Sequence, residues 1–419
     1  MGYFDNCTSE DRFTIRQKYF DQCVVSDWDE RRIVAVVTPG VESDDDFIID
    51  TLARHIGSIP ADAVRIEVSP EGELVSFSCE VADDWTMAPF YPSPSDFPPG
   101  TETVRRADLT EISRLGVQTD LCEYVSSDGK VHRVAFKYYT NESQVPVFWH
   151  ELNCVLKIPK HPNIVPFDRL VIDTLDGEDK VVGFTAPFVE GRTVDDSPGR
   201  VFKLKYLRQL LDCIVYLNIQ LGIVHGDVCG RNLLINEQSD NVQLFDFNMA
   251  AKLGWEGDSS EHGNGVFAFD EDRNDVKCAV FTVYEIITRD LHLREEYHPH
   301  ELDTSILLEL ETWEQHPDAR LDADPAEYRT MLEDWLGARR DIDKKIDHFS
   351  KAPHALEWPP LPEFERAARM RQELILQGGG EFLKWQRPAS NKLPLPKGQS
   401  LLATGEIVDN KGKEDLDIK

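Results

Sequence analysis

The chain has 419 residues, a formal net charge of -31 and an ordinary apolar fraction of 41%. That length leaves room for one catalytic-sized domain of about 250 residues plus flanking segments. So acidic a surface repels nucleic acid and anionic membrane alike, which excludes both as partners.

Cys7, Cys23, Cys79, Cys122, Cys154, Cys213, Cys229 and Cys278 are scattered, without a C-x-x-C pair or a histidine tract. This spacing fits neither a zinc site nor a disulfide framework and points to reduced thiols in a cytoplasmic or nuclear setting. The longest apolar run, Cys278 to Ile287, is about half of the ~20 residues a membrane span needs. The first thirty residues carry Asp and Glu throughout, unlike a signal or transit peptide.

In chain order, residues 1 to about 30 are polar and acidic, with a frayed start expected. Arg32 to Val37 predicts a strand ended by Pro39-Gly40, and Asp44 to Ile56 a helix with Phe47, Ile48, Leu52 and Ile56 on one face. Val64–Val68 and Glu73–Phe77 flank the turn Ser69-Pro70-Glu71-Gly72 and predict a hairpin. These elements form a small α/β module with no residue set that suggests chemistry. Ala88 to Gly100 is proline-rich and reads as a linker, so residues 1–100 form an extension.

From Leu109 the pattern changes. Ile112 to Val125, the turn Ser126 to Lys130 and the strand Val131 to Lys137 come first. A helix over Val147 to Leu156 carries Glu151, and His161-Pro162-Asn163-Ile164-Val165 follows. Leu170–Asp173 and Val181–Phe184 pair across Asp176-Gly177-Glu178, and Ala186 to Glu190 is a connection. Lys203 to Leu221 is a strongly amphipathic helix, with Leu207, Leu210, Leu211, Ile214, Leu217 and Leu221 at spacings of three and four. Asp275 to Thr288 predicts a buried helix, followed by acidic helical stretches to about Phe349. Trp358-Pro359-Pro360-Leu361-Pro362 introduces a helix over Glu363 to Gln377, ended by three glycines. Beyond about residue 388 the Pro-, Lys- and Gly-rich composition predicts disorder.

The chemistry concentrates between Ile223 and Asn248. His225, Asp227 and Asn232 stand in the order H-x-D-x-x-x-x-N, and Asp246-Phe247-Asn248 follows two short apolar runs. Leu233-Leu234-Ile235 and Val242-Gln243-Leu244-Phe245 predict two strands of a hairpin that would hold Asn232 and Asp246 at neighbouring ends. Such a layout suits phosphoryl transfer. One carboxylate accepts or orients the proton of the attacking hydroxyl, while an amide oxygen and a second carboxylate hold Mg²⁺ against nucleotide phosphates.

This stretch resembles the catalytic and magnesium loops of protein kinases, with His225-Gly226-Asp227 for the usual HRD and Asp246-Phe247-Asn248 for the usual DFG. Val134-Ala135-Phe136-Lys137 is similar to the family's V-A-I-K strand. The resemblance covers about residues 109 to 345 and implies an α+β bilobal kinase fold. Its β-rich N-lobe would span 109–186 and its helical C-lobe 190–350, within a domain over 109–350. Residues 351–419 would form a C-terminal helix and disordered tail. It also implies ATP and Mg²⁺ as cofactors and a protein Ser/Thr hydroxyl as acceptor. Asp227 would be the base or orienting group, supported by His225, Arg231 and Asp275. Lys137, paired with Glu151, would position phosphates, and Asn232 and Asp246 would hold the metal. Gly116, Ala135, Lys137, Phe188, Val189 and Leu234 would face the nucleotide, with the small Ala186 behind the adenine.

Four departures qualify that resemblance. The expected glycine-rich segment, Leu115 to Val125, has only Gly116 where the family has up to three glycines, with Gln118 and Leu121 at the other sites. Gly226 replaces the arginine that would pair with a phosphorylated activation segment, so activity is expected not to depend on that switch. Asn248 replaces a glycine, and Gly265 to Phe269 stand where the family has A-P-E. Two other readings stay open: a nucleotide-binding pseudokinase scaffold, and a small-molecule kinase of the aminoglycoside or choline type, which H-G-D-x-x-x-x-N also suits.

Overall fold

A computed structural model describes residues 12–40, 42, 44–84, 90–116, 118–140, 145–255, 274–297, 301–357, 364–388 and 393–409. The chain divides into two compact units: residues 1–148, 168–188 and 361–419, and residues 149–167 with 189–360.

The first unit contains two sheets. Strands β1 (Phe13–Lys18), β2 (Gln22–Asp27), β3 (Arg32–Val37), β4 (Arg65–Val68) and β5 (Leu74–Ser78) lie in chain order across one of them. All neighbours are antiparallel except β3 and β4, which run parallel. A parallel pair needs a crossover, and helix Asp45–His55 supplies it. Asp44 caps that helix by accepting from the Phe47 amide at 2.7 Å, and Asp45 and Asp46 favour its positive end. β3 is buried along its whole length, as its β-branched composition dictates for a central strand. Residues 13–27 differ from the expected polar start. They form β1 and β2 because Cys23, Val24 and Val25 pack inward and Asp27 anchors the Arg12 guanidinium at 2.8 and 2.9 Å.

The second sheet has eight strands. Its centre is β7 (Thr110–Gly116), β8 (Thr119–Val125) and β9 (Val131–Tyr138), joined by β11 (Glu178–Pro187), β10 (Arg169–Leu175) and β6 (Thr103–Arg105). On the other side of β7 come Gln399–Leu402 and Ile407–Asp409. Two expectations need correction here. Within the proline-rich stretch Tyr91 and Phe97 are buried, and the Pro92 carbonyl accepts from the Val181 amide at 2.7 Å, so residues 90–100 are packed rather than a free linker. The expected disordered tail instead adds a strand to β7, pairing Leu401 with Glu111.

The second unit is mainly helical. Helix Leu204–Val215 continues as a π turn, Tyr216–Leu221, and stops at Gly222, whose φ of 67° only glycine adopts at little cost. All six apolar positions expected on one face of this segment are buried, in one core with helix Asp275–Thr288, Tyr328 and Leu332. Helix Pro325–Asp343 completes the layer. The helix that carries Glu151 spans Val145–Lys157. All cysteines among the described residues are free, and no helix among them is long and apolar enough to cross a membrane.

Candidate active site

Strands Leu233–Asn236 and Asn241–Leu244 form the expected hairpin, with Leu233 opposite Leu244. Its apolar residues Leu233, Ile235, Val242 and Leu244 are buried, and this alternation fixes which way the ends point. The Phe245 amide donates to the Asn232 carbonyl at 3.3 Å. Asn232 therefore sits one residue before the hairpin and Asp246 two after it. Residues 163–165 run alongside: the Leu244 amide bonds the Asn163 carbonyl and the Val165 amide bonds the Leu244 carbonyl.

The carboxylate of Asp227 accepts three hydrogen bonds from the nitrogens of two side chains. Asn232 Nδ2 donates to Asp227 Oδ2 and to its backbone carbonyl, both at 2.9 Å. Arg231 Nη2 lies 2.7 and 2.9 Å from the two carboxylate oxygens. Because Asn232 uses its N–H groups on Asp227, its amide oxygen is turned away from that carboxylate, the orientation a metal ligand needs. The Arg231 side chain is 63% exposed, and such a surface pair is held by only ~0–1 kcal/mol. An incoming polar group can displace it cheaply.

Backbone geometry around Asp227 comes from two buried residues. Asp275 accepts from the His225 amide at 2.8 Å, the Gly226 amide at 2.9 Å and Asn218 Nδ2 at 2.8 Å. His225 Nε2 donates to the Phe245 carbonyl at 2.8 Å, and Nδ1 accepts from the Asp227 amide at 3.2 Å. The ring therefore carries its proton on Nε2 and stitches the loop to the hairpin, with Phe247 edge-on at 4.7 Å.

Gly226 has φ 78°, and a Cβ there would stand 2.2 Å from the Met249 carbonyl oxygen. That contact is a physical reason for glycine beside Asp227, where a longer side chain would collide with the segment after Asp246. Asp246 itself is left-handed, φ 66° and ψ 69°. For a non-glycine residue this costs ~1–3 kcal/mol and marks a position held by its surroundings. Asn248 itself is not left-handed, and its Oδ1 is buried without a hydrogen-bond partner.

Cys229, at the position where serine/threonine kinases often carry a lysine, has its Sγ 3.8 Å from Asp227 Oδ1. Burial and that carboxylate push the thiol up to about 12, so it stays protonated. Sequence reasoning missed Asn218, Thr282 and Arg339. Thr282 Oγ1 donates to the Val228 carbonyl at 2.9 Å, and Arg339 donates to Asn218 Oδ1 at 3.0 Å. The signal was available for Asn218, a polar residue on the apolar face of a helix.

Thus His225, Asp227, Arg231, Asn232 and Asp275 are joined by direct hydrogen bonds, with Asp246 at the neighbouring hairpin end. Leu234 lies within the hairpin opposite Thr193. Glu151 is buried, 1% exposed, on helix Val145–Lys157. Val189 belongs to the second unit. In the first unit, Gly116 ends β7, Ala135 pairs with Leu121 and Ala186, and Lys137 pairs with Thr119 and Phe184. Phe188 follows β11, its amide bonded to the Arg133 carbonyl at 3.0 Å. Gly265 to Phe269 lie outside the described residues.

No family model matches the chain. A probable serine/threonine-protein kinase of Dictyostelium discoideum is 26% identical over 108 residues, which is 24% of this chain and 11% of that protein. The chain is thus similar to a kinase over about a quarter of its length, and the match takes in only a small part of the relative.

Proposed function

We propose that this chain is a kinase-type phosphotransferase with an α+β bilobal kinase fold, moving the γ-phosphoryl of Mg-ATP to a protein Ser or Thr hydroxyl. The reading is carried by one observation: the Asp227 carboxylate is held by Asn232 at the foot of a hairpin whose other end presents Asp246, while Asp275 pins the backbone before it. That is a base with a ready-made oxygen donor set beside it.

Among the described residues no cluster of three or more His, Cys, Asp or Glu could hold a metal by itself. Mg²⁺ does not require one, since it binds through one or two carboxylates plus substrate phosphates and water. Asn232 and Asp246 fit that demand, and the metal, when bound, would neutralise charge on the transferring phosphoryl group. Asp227 orients the hydroxyl and takes its proton, exchanging Arg231 for the substrate. On this reading Lys137 and Glu151 would position phosphates, and Gly116, Ala135, Phe188, Val189 and Leu234 would face the nucleotide. Because no arginine precedes Asp227, treatment with a phosphatase is expected to leave the rate unchanged.

The test is ATP turnover and autophosphorylation by the purified chain beside Lys137→Met and Asp227→Asn. Loss of the base should cost about a thousandfold, ~4 kcal/mol of barrier. Wild-type turnover no faster than Asp227→Asn would leave a nucleotide-binding scaffold as the better reading. Phosphorylation of amino sugars or choline in preference to generic proteins would move the acceptor to small molecules.

A further inference from the structure

The eight-stranded sheet has two unlike sides. Strand alternation puts Ala135 and Lys137 of β9 on one side and Phe136 and Tyr138 on the other, with Asp120 opposite Phe136. The Phe136 side is sealed by the C-terminal segment. Trp385, 1% exposed, stacks on Tyr138 with centroids 4.5 Å apart and planes 7° from parallel, and donates to the Tyr91 hydroxyl at 3.0 Å.

Next to that stack lies a ring of four charges from three remote parts of the chain. Arg31, in the β2–β3 turn, contacts Glu111 of β7 at 3.1 Å and also Asp120 of β8. Arg387 contacts the same two carboxylates, Glu111 and Asp120, at 3.0 Å each. All four side chains are no more than 4% exposed. Arg387 is tied back to the first sheet by its own amide, which donates to the Glu30 carbonyl at 2.9 Å. Arg114 stands by, 4.0 Å from Asp120. A surface hairpin does not need buried charge to fold, and buried pairs are poor sources of stability relative to apolar packing. Their strength is geometric, since each planar guanidinium bridges two strands at set angles.

We infer that Arg31 and Arg387 are positioning residues: from the sealed side of the sheet they lock the β7–β8 hairpin, so that Gly116 and, through β8–β9 pairing, Lys137 are presented rigidly to nucleotide phosphates. This rests on the phosphotransferase reading for its nucleotide and not for its clamp. It accounts for a phosphate-facing hairpin with a single glycine. Stiffness imposed from behind replaces the close backbone wrapping that several glycines allow.

The experiment uses the full chain and three variants: Arg387→Lys, Arg387→Met, and Arg387→Met with Glu111→Gln, which removes one carboxylate left uncompensated. Amide hydrogen exchange is followed over residues 110–125 with residues 233–244 as internal reference, and KM for Mg-ATP is measured apart from kcat. The Met variant is expected to speed exchange over 110–125 by about tenfold or more while 233–244 hold. It should also raise KM about tenfold with kcat within about twofold, the mark of lost ground-state positioning. The Lys variant should fall between it and wild type. Should the single Met variant not fold, the double variant carries the same two measurements. Unchanged exchange over 110–125, or equal acceleration in both segments, overturns the clamp. Absence of Mg-ATP binding by wild type overturns the nucleotide reading alone, and exchange still decides the clamp.

Discussion

Two hairpins present the residues assigned to phosphate chemistry, and they are held in opposite ways. The hairpin of residues 233–244 is fastened locally. His225, Asp227, Asn232 and Phe245 bond one another across about twenty positions, and the longer-range partners, Asp275, Thr282 and Asn163, add mostly hydrogen bonds to backbone. The β7–β8 hairpin is fastened remotely, through ion pairs between residues 80, 89, 276 and 267 positions apart. A loop that must aim one carboxylate can be built from short-range amide and imidazole hydrogen bonds. A strand pair that must not flex needs anchors from outside itself, because its own ladder leaves bending free.

Removing the long-range brace of the local hairpin should have the largest effect. Asp275→Ala orphans the buried amides of His225 and Gly226 and removes one of the acceptors of Asn218. It is expected to cost about 4 kcal/mol in urea unfolding and to abolish turnover. Asp275→Asn, which keeps one acceptor, should recover part of the stability. If Asp275→Ala unfolds with the wild-type midpoint, the second hairpin is held by its own contacts alone.

Next comes Gly226→Ala. Its φ of 78° and the 2.2 Å approach to the Met249 carbonyl predict a loss of about 3 kcal/mol, with activity falling alongside. Retained midpoint and activity would mean that the 249 segment yields.

Acid should separate the two regions. His150, in the second unit, donates to the Ala250 carbonyl and burial lowers it to about 4. The unfolded imidazole titrates near ~6.5, so the unfolded chain binds the extra proton in this interval. Stability from this residue is full above pH ~6.5 and is lost as pH falls to about 4, at most ~3 kcal/mol. Glu111 behaves differently. Burial alone would raise it, but the guanidinia of Arg31 and Arg387 outweigh burial and hold it at about 2. Its contribution is full above the unfolded value of ~4.3 and declines only toward pH 2. Burial also raises Asp120, yet four guanidinium contacts to the two carboxylates favour the ionised pair. Between pH 6.5 and 4, hydrogen exchange should therefore accelerate around residues 145–157 and 250 before it does over residues 110–125. The reverse order would break the comparison.

The smallest effect belongs to Arg231→Ala. With 63% of its side chain exposed, the pair with Asp227 should contribute no more than ~0.5 kcal/mol to stability. A larger loss would show that Arg231 is a structural part of the loop and not a displaceable partner.

Much of the site was legible in the sequence because its grammar is local. H-x-D-x-x-x-x-N states how far Asn232 can reach back to Asp227, and alternation in Leu233–Leu244 states which ends meet. Apolar spacing in Lys203–Leu221 and the run Asp275–Thr288 marked both core helices, and the second was bounded to the residue. Asn218 could have been noticed as the polar exception on its helix. Tyr91, Trp385 and the strand at 399–402 could not, since proline and lysine around them dominate composition while one aromatic ring decides burial.

By itself the sequence determined the hairpin flanked by Asn232 and Asp246, and the helices Leu204–Val215 and Asp275–Thr288 that pack behind it. Only the tertiary structure decided that strands 399–402 and 407–409 join the sheet carrying Lys137, and that Arg31 and Arg387 meet over Glu111 and Asp120. The physical reason is range. Backbone periodicity encodes partners two to five positions apart, whereas an arginine far along the chain finds its carboxylate only once sheets have paired and water has been driven from between them.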